Sequence, residues 1–227
     1  MPPRPAPILH RDDPEKDPLI GNIKVTREDW LNVARDLLVS DGVSEVKILG
    51  LGERLGVSRS SFYWYFKSRR DLLEALLAEW EARNTQVIVT HCRMPAATIT
   101  EAVCNFFRCF MDPDLFDQGL DFAVREWARR DGSVRMRIDH ADSARIAAVT
   151  GMFRCHGFGD QEADIRARIL YFMQLGYHAL DQAESIEVRL GRLEGYLFGF
   201  TGVRPQPAEV AALGAYAMNK VRGLRQE

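Results

Sequence analysis

The chain has 227 residues, of which 46% are hydrophobic and 27% charged, an ordinary globular composition that is sufficient to bury a core. Its formal net charge of -2 excludes a global positive field, so any nucleic-acid contact has to come from a local basic patch. The four cysteines form no Cys-x-x-Cys pair, and neither a signal-peptide core nor a run of roughly 20 apolar residues is present, so we expect a soluble protein of the reducing cytoplasm.

The first segment, residues 1–24, is rich in proline and in charges of both signs and has no apolar period, so we expect a flexible arm. Its basic residues, Arg4, Arg11, Lys16 and Lys24, are of the kind that reach into a DNA groove. Neighbouring acidic residues largely cancel their charge, and we therefore favour an arm without a DNA contact.

Two amphipathic helices follow, one on each side of the segment that carries most of the functional signal. The first begins at Thr26, an N-cap candidate with Asp29 three residues on, and stops at Asp41-Gly42. The second begins at Ser68. Their apolar residues recur at helical spacing: Trp30, Ala34, Leu37 and Leu38 in the first, and Leu72, Leu73, Leu76, Leu77 and Trp80 in the second.

Between these helices, residues 46–66 read VKILGLGERLGVSRSSFYWYF, and their glycines allow two interpretations. A short apolar run before Gly50, Gly52 and Gly56 resembles a strand that enters a nucleotide-binding turn. That turn requires a full helix and then a second strand, whereas here another glycine interrupts after Glu53-Arg54-Leu55. The nucleotide interpretation therefore lacks its structural context.

A helix-turn-helix accounts for more of these residues. Gly56 supplies the sharp turn, Gly52 allows the two helices to approach closely, and Ser58 is placed to cap the second helix. Gly50 has no explanation in this interpretation. The inward faces are marked by Ile48, Leu51 and Leu55 on the first helix and by Phe62 and Phe66 on the second.

Charge supports the same interpretation. The window from Arg54 to Arg70 holds five basic residues and no acidic one, a net charge of +5, which suits contacts with phosphates. Polar and aromatic residues occupy the positions of the second helix that Phe62 and Phe66 leave outward: Arg59, Ser60, Ser61, Tyr63, Trp64 and Tyr65. Outward aromatics are unusual in a purely structural helix and suit contacts with phosphates and base edges.

The stretch GVSRSSFYWYFKSRRDLL, Gly56 to Leu73, resembles the recognition helix and following helix start of the tetracycline repressor (TetR) family, and the resemblance covers roughly residues 26–80. It implies a homodimeric regulator that binds a double-stranded DNA operator and that a small-molecule effector releases through the C-terminal domain. By position, Tyr63, Tyr65 and Arg69 resemble the family's phosphate and groove contacts. The variable, base-reading positions fall at Arg59, Ser60 and Ser61.

The full candidate DNA-binding set is Lys47, Ser58, Arg59, Ser60, Ser61, Tyr63, Trp64, Tyr65, Lys67 and Arg69. Two residues depart from the family pattern. Lys47 stands where a Thr or Ser commonly caps the second helix, and Gly52 replaces the usual Ala, so we expect a looser entry to that helix.

Beyond residue 95 every sizeable segment has a helical pattern, and no alternating strand pattern of useful length occurs. The predicted helices are Ala97 to Phe110, Leu115 to Arg129, Ser133 to Cys155, Asp160 to Gln182, Ser185 to Phe200 and Pro207 to Val221. We therefore predict an all-α fold in three parts: an arm (1–24), a helix-turn-helix domain (25–80) and a ligand-binding and dimerisation domain (81–227).

The C-terminal helices suggest a dimer interface. Its candidate residues follow a seam-like spacing on one helix and continue onto the preceding one: Ile169, Met173, Leu190, Leu193, Leu197 and Phe200. Gly191, Gly195 and Gly199 recur every four residues on an adjacent face, where a partner helix is able to approach closely. The alternative is that the same seam packs inside the chain's own core.

An apolar or aromatic effector is the weaker inference. The candidate pocket residues are Phe106, Phe110, Phe122, Trp127, Met152, Phe153, Phe172, Tyr177 and His178, although any one of them is more often plain core. No metal, cofactor or catalytic motif is indicated, since His91-Cys92 and Cys155-His156 lack a zinc-like second pair. An all-helical carrier or enzyme that uses the C-terminal cavity is the alternative function.

Overall fold

The computed structural model describes residues 6–19, 24–180 and 184–223, and the fold is all-α, as predicted. Two compact units form: Met1–Glu81 with Gly119–Ile138, and Ala82–Gln118 with Asp139–Glu227. The helices are α1 (Arg27–Asp41), α2 (Ile48–Leu55), α3 (Arg59–Phe62), α4 (Arg69–Trp80), α5 (Gln86–Cys92), α6 (Ile99–Met111), α7 (Gln118–Ala128), α8 (Gly132–Cys155), α9 (Asp160–Ala179), α10 (Ile186–Gly191), α11 (Leu193–Thr201) and α12 (Pro207–Gly223).

Helices α1 and α4 begin where predicted, and a side chain caps each start. The Thr26 hydroxyl accepts a hydrogen bond from the Asp29 amide at 3.1 Å, and the Asp29 carboxylate accepts one from the Thr26 amide at 2.7 Å. Ser68 accepts in the same way from the Asp71 amide at 3.2 Å. These reciprocal bonds satisfy backbone donors that the first turn of a helix leaves without partners. Both predicted helix starts are thus confirmed.

The core of the first unit is built from the predicted apolar faces. Trp30, Phe62 and Trp80 are completely buried, and the Trp30 and Phe62 rings meet edge to face at 5.3 Å. Aromatic pairs of this geometry stabilise a core beyond the area that they bury. Large, fully buried aromatic rings therefore form the core against which the helix-turn-helix packs.

Residues 119–138 belong to this first unit, although the sequence analysis placed them in the C-terminal domain. The Trp80 indole donates to Asp121 at 2.8 Å, and Arg125 donates to the same buried carboxylate at 2.9 Å. Arg137 on α8 forms ion pairs with Glu74 and Glu81. Helix α4 is therefore tied to α7 and to the first turns of α8 by polar as well as apolar contacts.

The described part of the N-terminal arm, residues 6–19, has local structure where a flexible segment was expected. It contains a 3₁₀ turn at His10–Asp12, and the His10 amide donates to the capping carboxylate of Asp29 at 2.7 Å. Asp29 is 2% exposed, so this bond joins the arm to the buried start of α1.

The second unit has its own core, formed by α5, α6, the later part of α8, α9, α11 and α12. The predicted helix over 185–200 is broken at Arg192 into α10 and α11. The helix α5, after a π-helical turn at Glu81–Thr85, was not predicted at all. None of the helices in the described ranges is long and apolar enough to cross a membrane.

Candidate functional site

The turn between α2 and α3 has the geometry that its glycines predicted. Gly56 adopts a left-handed conformation at φ +66°, which favours glycine. A Cβ placed on Gly52 would lie 3.0 Å from the Val57 carbonyl oxygen, tighter than ordinary contact. Gly50, by contrast, has nothing within 4 Å of its Cβ position, so packing does not explain it.

Helix α3 is shorter than predicted, because it ends at Phe62 and continues as turns through Tyr65. Phe62 and Phe66 still point inward as predicted, at 0% and 2% exposure, with their rings stacked 5.4 Å apart. Burial of these two rings leaves Tyr63 49% and Trp64 84% exposed. Tyr63 and Trp64 are thus exposed because burial of Phe62 and Phe66 fixes the orientation of this segment.

On the exposed side of this segment, the Arg59 and Tyr63 side chains are hydrogen-bonded to each other. The Arg59 guanidinium donates to the Tyr63 hydroxyl at 3.0 Å and lies 5.8 Å from the ring centroid. Ser58 and Ser60 share a hydrogen bond between their hydroxyls at 2.7 Å. Ser58 occupies the N-cap position of α3, as predicted, but its hydroxyl forms no capping hydrogen bond.

Two predicted DNA contacts have other partners in this structure. The Tyr65 hydroxyl donates to the Val25 carbonyl at 2.7 Å, and the ring is half-buried against the start of α1. Arg69 donates from Nε to the Val46 carbonyl at 2.5 Å and from Nη2 to the Val43 carbonyl. Both side chains thus stabilise the framework of the helix-turn-helix, and their contact with DNA stays a prediction.

The remaining charges divide into paired and unpaired residues. Arg54 lies 3.4 Å from Asp36 and 3.7 Å from Asp41, and Lys47 lies 3.1 Å from Glu45. Across the described ranges, no carboxylate lies within ion-pair distance of three cations of the segment, Arg59, Lys67 and Arg70. Arg70 was absent from the candidate set, although the +5 charge window already included it. The segment that exposes Tyr63 and Trp64 therefore carries an excess of positive charge.

The second unit contains a cavity of about 200 Å³ between α6, α9, α10, α11 and α12. Its wall is mainly apolar, with polar atoms from Gln174, Tyr177, Arg189 and Tyr196. Of the predicted pocket residues, Phe110 and Tyr177 line this cavity, and His178 packs against the Phe110 ring at 5.5 Å.

The other predicted pocket residues lie elsewhere. Phe106, Met152 and Phe153 are buried core residues, at 0%, 3% and 0% exposure. Phe122 and Trp127 belong to the segment that packs in the first unit. Phe172 is 52% exposed on α9. Aromatic residues at helical spacing mark a buried or partly buried face, but spacing does not say which cavity that face adjoins.

The predicted dimer seam is mostly internal. Leu193, Leu197 and Phe200 are 6%, 0% and 6% exposed within the core of the second unit, so they are not available to a partner. Met173 and Leu190 are partly buried and line the cavity, and only Ile169 is exposed, at 54%. The apolar residues of the predicted seam lie on the inward face of α11, because a helix that packs in its own core shows the same apolar spacing as one that packs against a partner.

A different apolar face is exposed on the same helices. Ile165, Ile169 and Phe172 lie at i, i+4 and i+7 on α9 and are each about half exposed, at 49%, 54% and 52%. Val188 and Phe198, on α10 and α11, are similarly exposed at 46% and 47%. The glycines of α10 and α11 are also exposed, with nothing within 4 Å of their Cβ positions: Gly191, Gly195 and Gly199.

Chemistry based on cysteine or metal finds no support here. Burial raises the pKa of the Cys92 and Cys104 thiols to about 12 and that of Cys109 well above its ordinary value, which disfavours the reactive thiolate. Among the described residues, no group of three or more His, Cys, Asp or Glu side chains is arranged to hold a metal ion.

Residues 31–76 match the TetR_N family model, bacterial regulatory proteins of the tetR family. The class D tetracycline repressor of Escherichia coli is 33% identical over 61 residues, which are 27% of this chain and 28% of the repressor. The class C repressor of Escherichia coli is 42% identical over 53 residues, 23% of this chain and 24% of that repressor. The matched segment is thus about a quarter of the length of these relatives.

Two solved structures resemble the chain over most of its length. GusR from Salmonella enterica has a TM-score of 0.53 at 16% identity, with 86% of this chain and 95% of GusR covered. AmtR from Mycobacterium smegmatis has a TM-score of 0.54 at 18% identity, with 88% and 97% covered. At these identities the likeness shows the fold, and the fold extends beyond the segment that the sequence relatives match.

Proposed function

We propose that this chain, which belongs to the TetR family through its N-terminal domain, is a homodimeric transcriptional repressor that leaves its operator when a small molecule binds. One observation carries the proposal. Tyr63 and Trp64 are exposed beside cations that no described carboxylate neutralises, on a short helix anchored from below by Phe62 and Phe66. A rigid, aromatic and cationic surface suits the grooves and phosphates of duplex DNA.

In this proposal Arg59, Ser60 and Ser61 read base edges, with the Arg59 guanidinium suited to the O6 and N7 acceptors of guanine. The Tyr63 hydroxyl orients that guanidinium before DNA arrives, which lowers the entropy lost on binding. Lys67 and Arg70, together with Trp64, contact the backbone. Arg69 and Tyr65 contribute through the framework, because Arg69 fixes the start of α4 against the loop before α2 and Tyr65 fixes the turn after α3 against the start of α1.

The proposed dimer uses the exposed face of α9, α10 and α11 and not the buried seam. Ile165, Ile169 and Phe172 supply the apolar area, and Gly195 and Gly199 allow a partner helix to approach closely. Two symmetric copies of a helix-turn-helix suit two half-sites on one face of DNA, about one helical turn apart. We also propose a cytoplasmic location and a role without catalysis.

The test is a shift assay with the DNA that flanks the protein's own gene, titrated with salt. Wild type should bind, and its affinity should fall steeply as salt rises, because phosphate contacts release counterions. Arg59→Ala should bind more weakly, whereas Arg154→Ala should match wild type, since Arg154 is exposed at the end of α8 and pairs with Asp160. Absence of binding to any duplex at low salt would leave the carrier or enzyme alternative as the better explanation.

A further inference from the structure

The cavity of the second unit has a mainly apolar wall with a few polar side chains. Phe107, Phe110, Met173 and Leu193 surround the apolar part, and the volume is about 200 Å³. An apolar cavity of about 150 Å³ is enough for a benzene ring, so this space suits a molecule of one or two rings. A long chain or a bulky polycyclic molecule does not fit without rearrangement.

Tyr177, one of the polar side chains of the wall, belongs to a hydrogen-bonded triad beside the cavity. Glu184 accepts hydrogen bonds from the Tyr177 hydroxyl and from Arg192, whose Nη1 lies 2.5 Å from a carboxylate oxygen of Glu184. The bonds from Tyr177 and Arg192 lower the pKa of Glu184, and the bond to Glu184 raises that of Tyr177. The triad is therefore an ion pair completed by a neutral hydroxyl, with its negative charge already compensated.

Arg189 is a second cation near this triad and is not part of it. Its guanidinium stacks 4.8 Å from the centre of the Tyr177 ring and lines the cavity. In the described ranges no carboxylate lies within ion-pair distance of it, and the nearby Glu184, whose pKa it helps to lower, forms its ion pair with Arg192. A planar guanidinium that stacks on an aromatic ring and forms no ion pair suits a carboxylate, which it binds through two parallel hydrogen bonds.

We propose that the effector is a small aromatic carboxylate, with its ring between Phe107 and Phe110 and its acid group on Arg189. The cavity disfavours cations, which Arg189 repels, and polyols, which its apolar wall leaves without hydrogen bonds. This inference rests on the proposed ligand-responsive function and specifies the chemical class of its ligand.

The experiment compares acids with their uncharged amides of nearly the same shape, by calorimetry on the full chain without DNA. The probe pairs are benzoate with benzamide, 2-naphthoate with 2-naphthamide, and biphenyl-4-carboxylate with its amide. At least one acid should bind ten-fold or more tightly than its amide. Arg189→Gln should abolish that preference, and the matched control Arg154→Gln, on an exposed arginine that does not line the cavity, should retain it.

The inference is overturned if no acid in the panel binds more tightly than its amide, or if Arg189→Gln retains the preference. Arg189 is exposed, so this variant should fold, and circular dichroism checks that it does. A shift assay without ligand separates the two proposals. Acid binding without DNA binding removes the proposed repressor and keeps the site, and DNA binding without acid preference does the reverse.

Discussion

The α3 segment and the outer face of α9 both expose large apolar or aromatic side chains, yet different charges surround them. Tyr63 and Trp64 lie among cations without acidic partners in the described chain. Ile165 and Ile169 lie beside the ion pairs Arg166–Glu162 and Arg168–Asp164, which neutralise each other along the helix. The first face suits a polyanion, and the second suits an uncharged protein surface.

The comparison shows that exposure alone does not identify a partner. An exposed apolar patch indicates a contact of some kind, and the charges at its rim select the class of molecule. Next to each exposed face, the same segment carries buried side chains that anchor it: Phe62 and Phe66 in the α3 segment, and Leu170 and Tyr171 on α9. Substitutions on a face and among its anchoring side chains should therefore have different effects.

The largest expected effect is in the core of the second unit, at Leu197 on α11. Leu197→Ala should lower the free energy of unfolding by about 2–5 kcal/mol, because it removes a fully buried side chain and leaves a cavity. Chemical denaturation measures this loss. Phe198→Ala, on the exposed side of the same helix, is the control and should change monomer stability much less. Equal losses would contradict the assignment of Leu197 to the core.

A charge on the exposed α9 face should affect assembly and not folding. Ile169→Glu should weaken the proposed dimer by at least about 100-fold, since it places an unpaired carboxylate in an apolar interface. Sedimentation measures the mass, and circular dichroism should be unchanged because Ile169 is 54% exposed. The control Glu126→Ala, at an exposed carboxylate of α7 outside this face, should keep the wild-type mass. A variant that keeps its mass at micromolar concentration would exclude this face as the interface.

On the α3 face, Arg59→Ala should weaken operator binding by about 1–3 kcal/mol, the usual contribution of a bidentate base contact. Its stability should stay near wild type, because the exposed Arg59 bonds only to Tyr63 among the described residues. Arg54→Ala is a basic control whose charge is already paired with Asp36 and Asp41, so it should lose less affinity. Equal losses would indicate a diffuse charge effect.

Tyr63 and Tyr65 provide a sharper contrast within one turn. Tyr65→Phe should lower stability by about 0.5–1.5 kcal/mol, because the Val25 carbonyl loses its hydrogen bond. Tyr63→Phe should leave stability unchanged and reduce DNA affinity, because Arg59 is then oriented less well. Thermal melts and shift assays on both variants test this. The reverse pattern would show that Tyr65 is the outward residue.

The smallest effect is expected at the two glycines of α2. Gly50→Ala should raise stability by about 0.5–1 kcal/mol, because its Cβ position is open and alanine favours a helix. Gly52→Ala should gain less or lose stability, since its Cβ would lie 3.0 Å from the Val57 oxygen. Denaturant midpoints distinguish the two. Equal gains would mean that the α2–α3 crossing relaxes without strain.

Sequence reasoning succeeded where a residue's role depends on its near neighbours along the chain. The Thr26 and Ser68 caps and the Gly56 turn each follow from a few consecutive residues, because helix ends have local hydrogen-bond and φ requirements. The burial of Phe62 and Phe66 followed equally from their spacing of four.

The roles that only the tertiary structure decided depend on residues far apart in the chain. The sequence did not predict the hydrogen bonds of Tyr65 and Arg69, because their partners Val25, Val43 and Val46 lie at least 20 positions earlier. The seam through Leu197 fits a partner helix and an internal core equally well, since the 3.6-residue period is the same for both. Which helix covers a face depends on the fold as a whole. The sequence by itself thus determined most of the helices, the turn and the positive charge of the recognition segment, whereas three-dimensional packing decided which side chains remain free to bind.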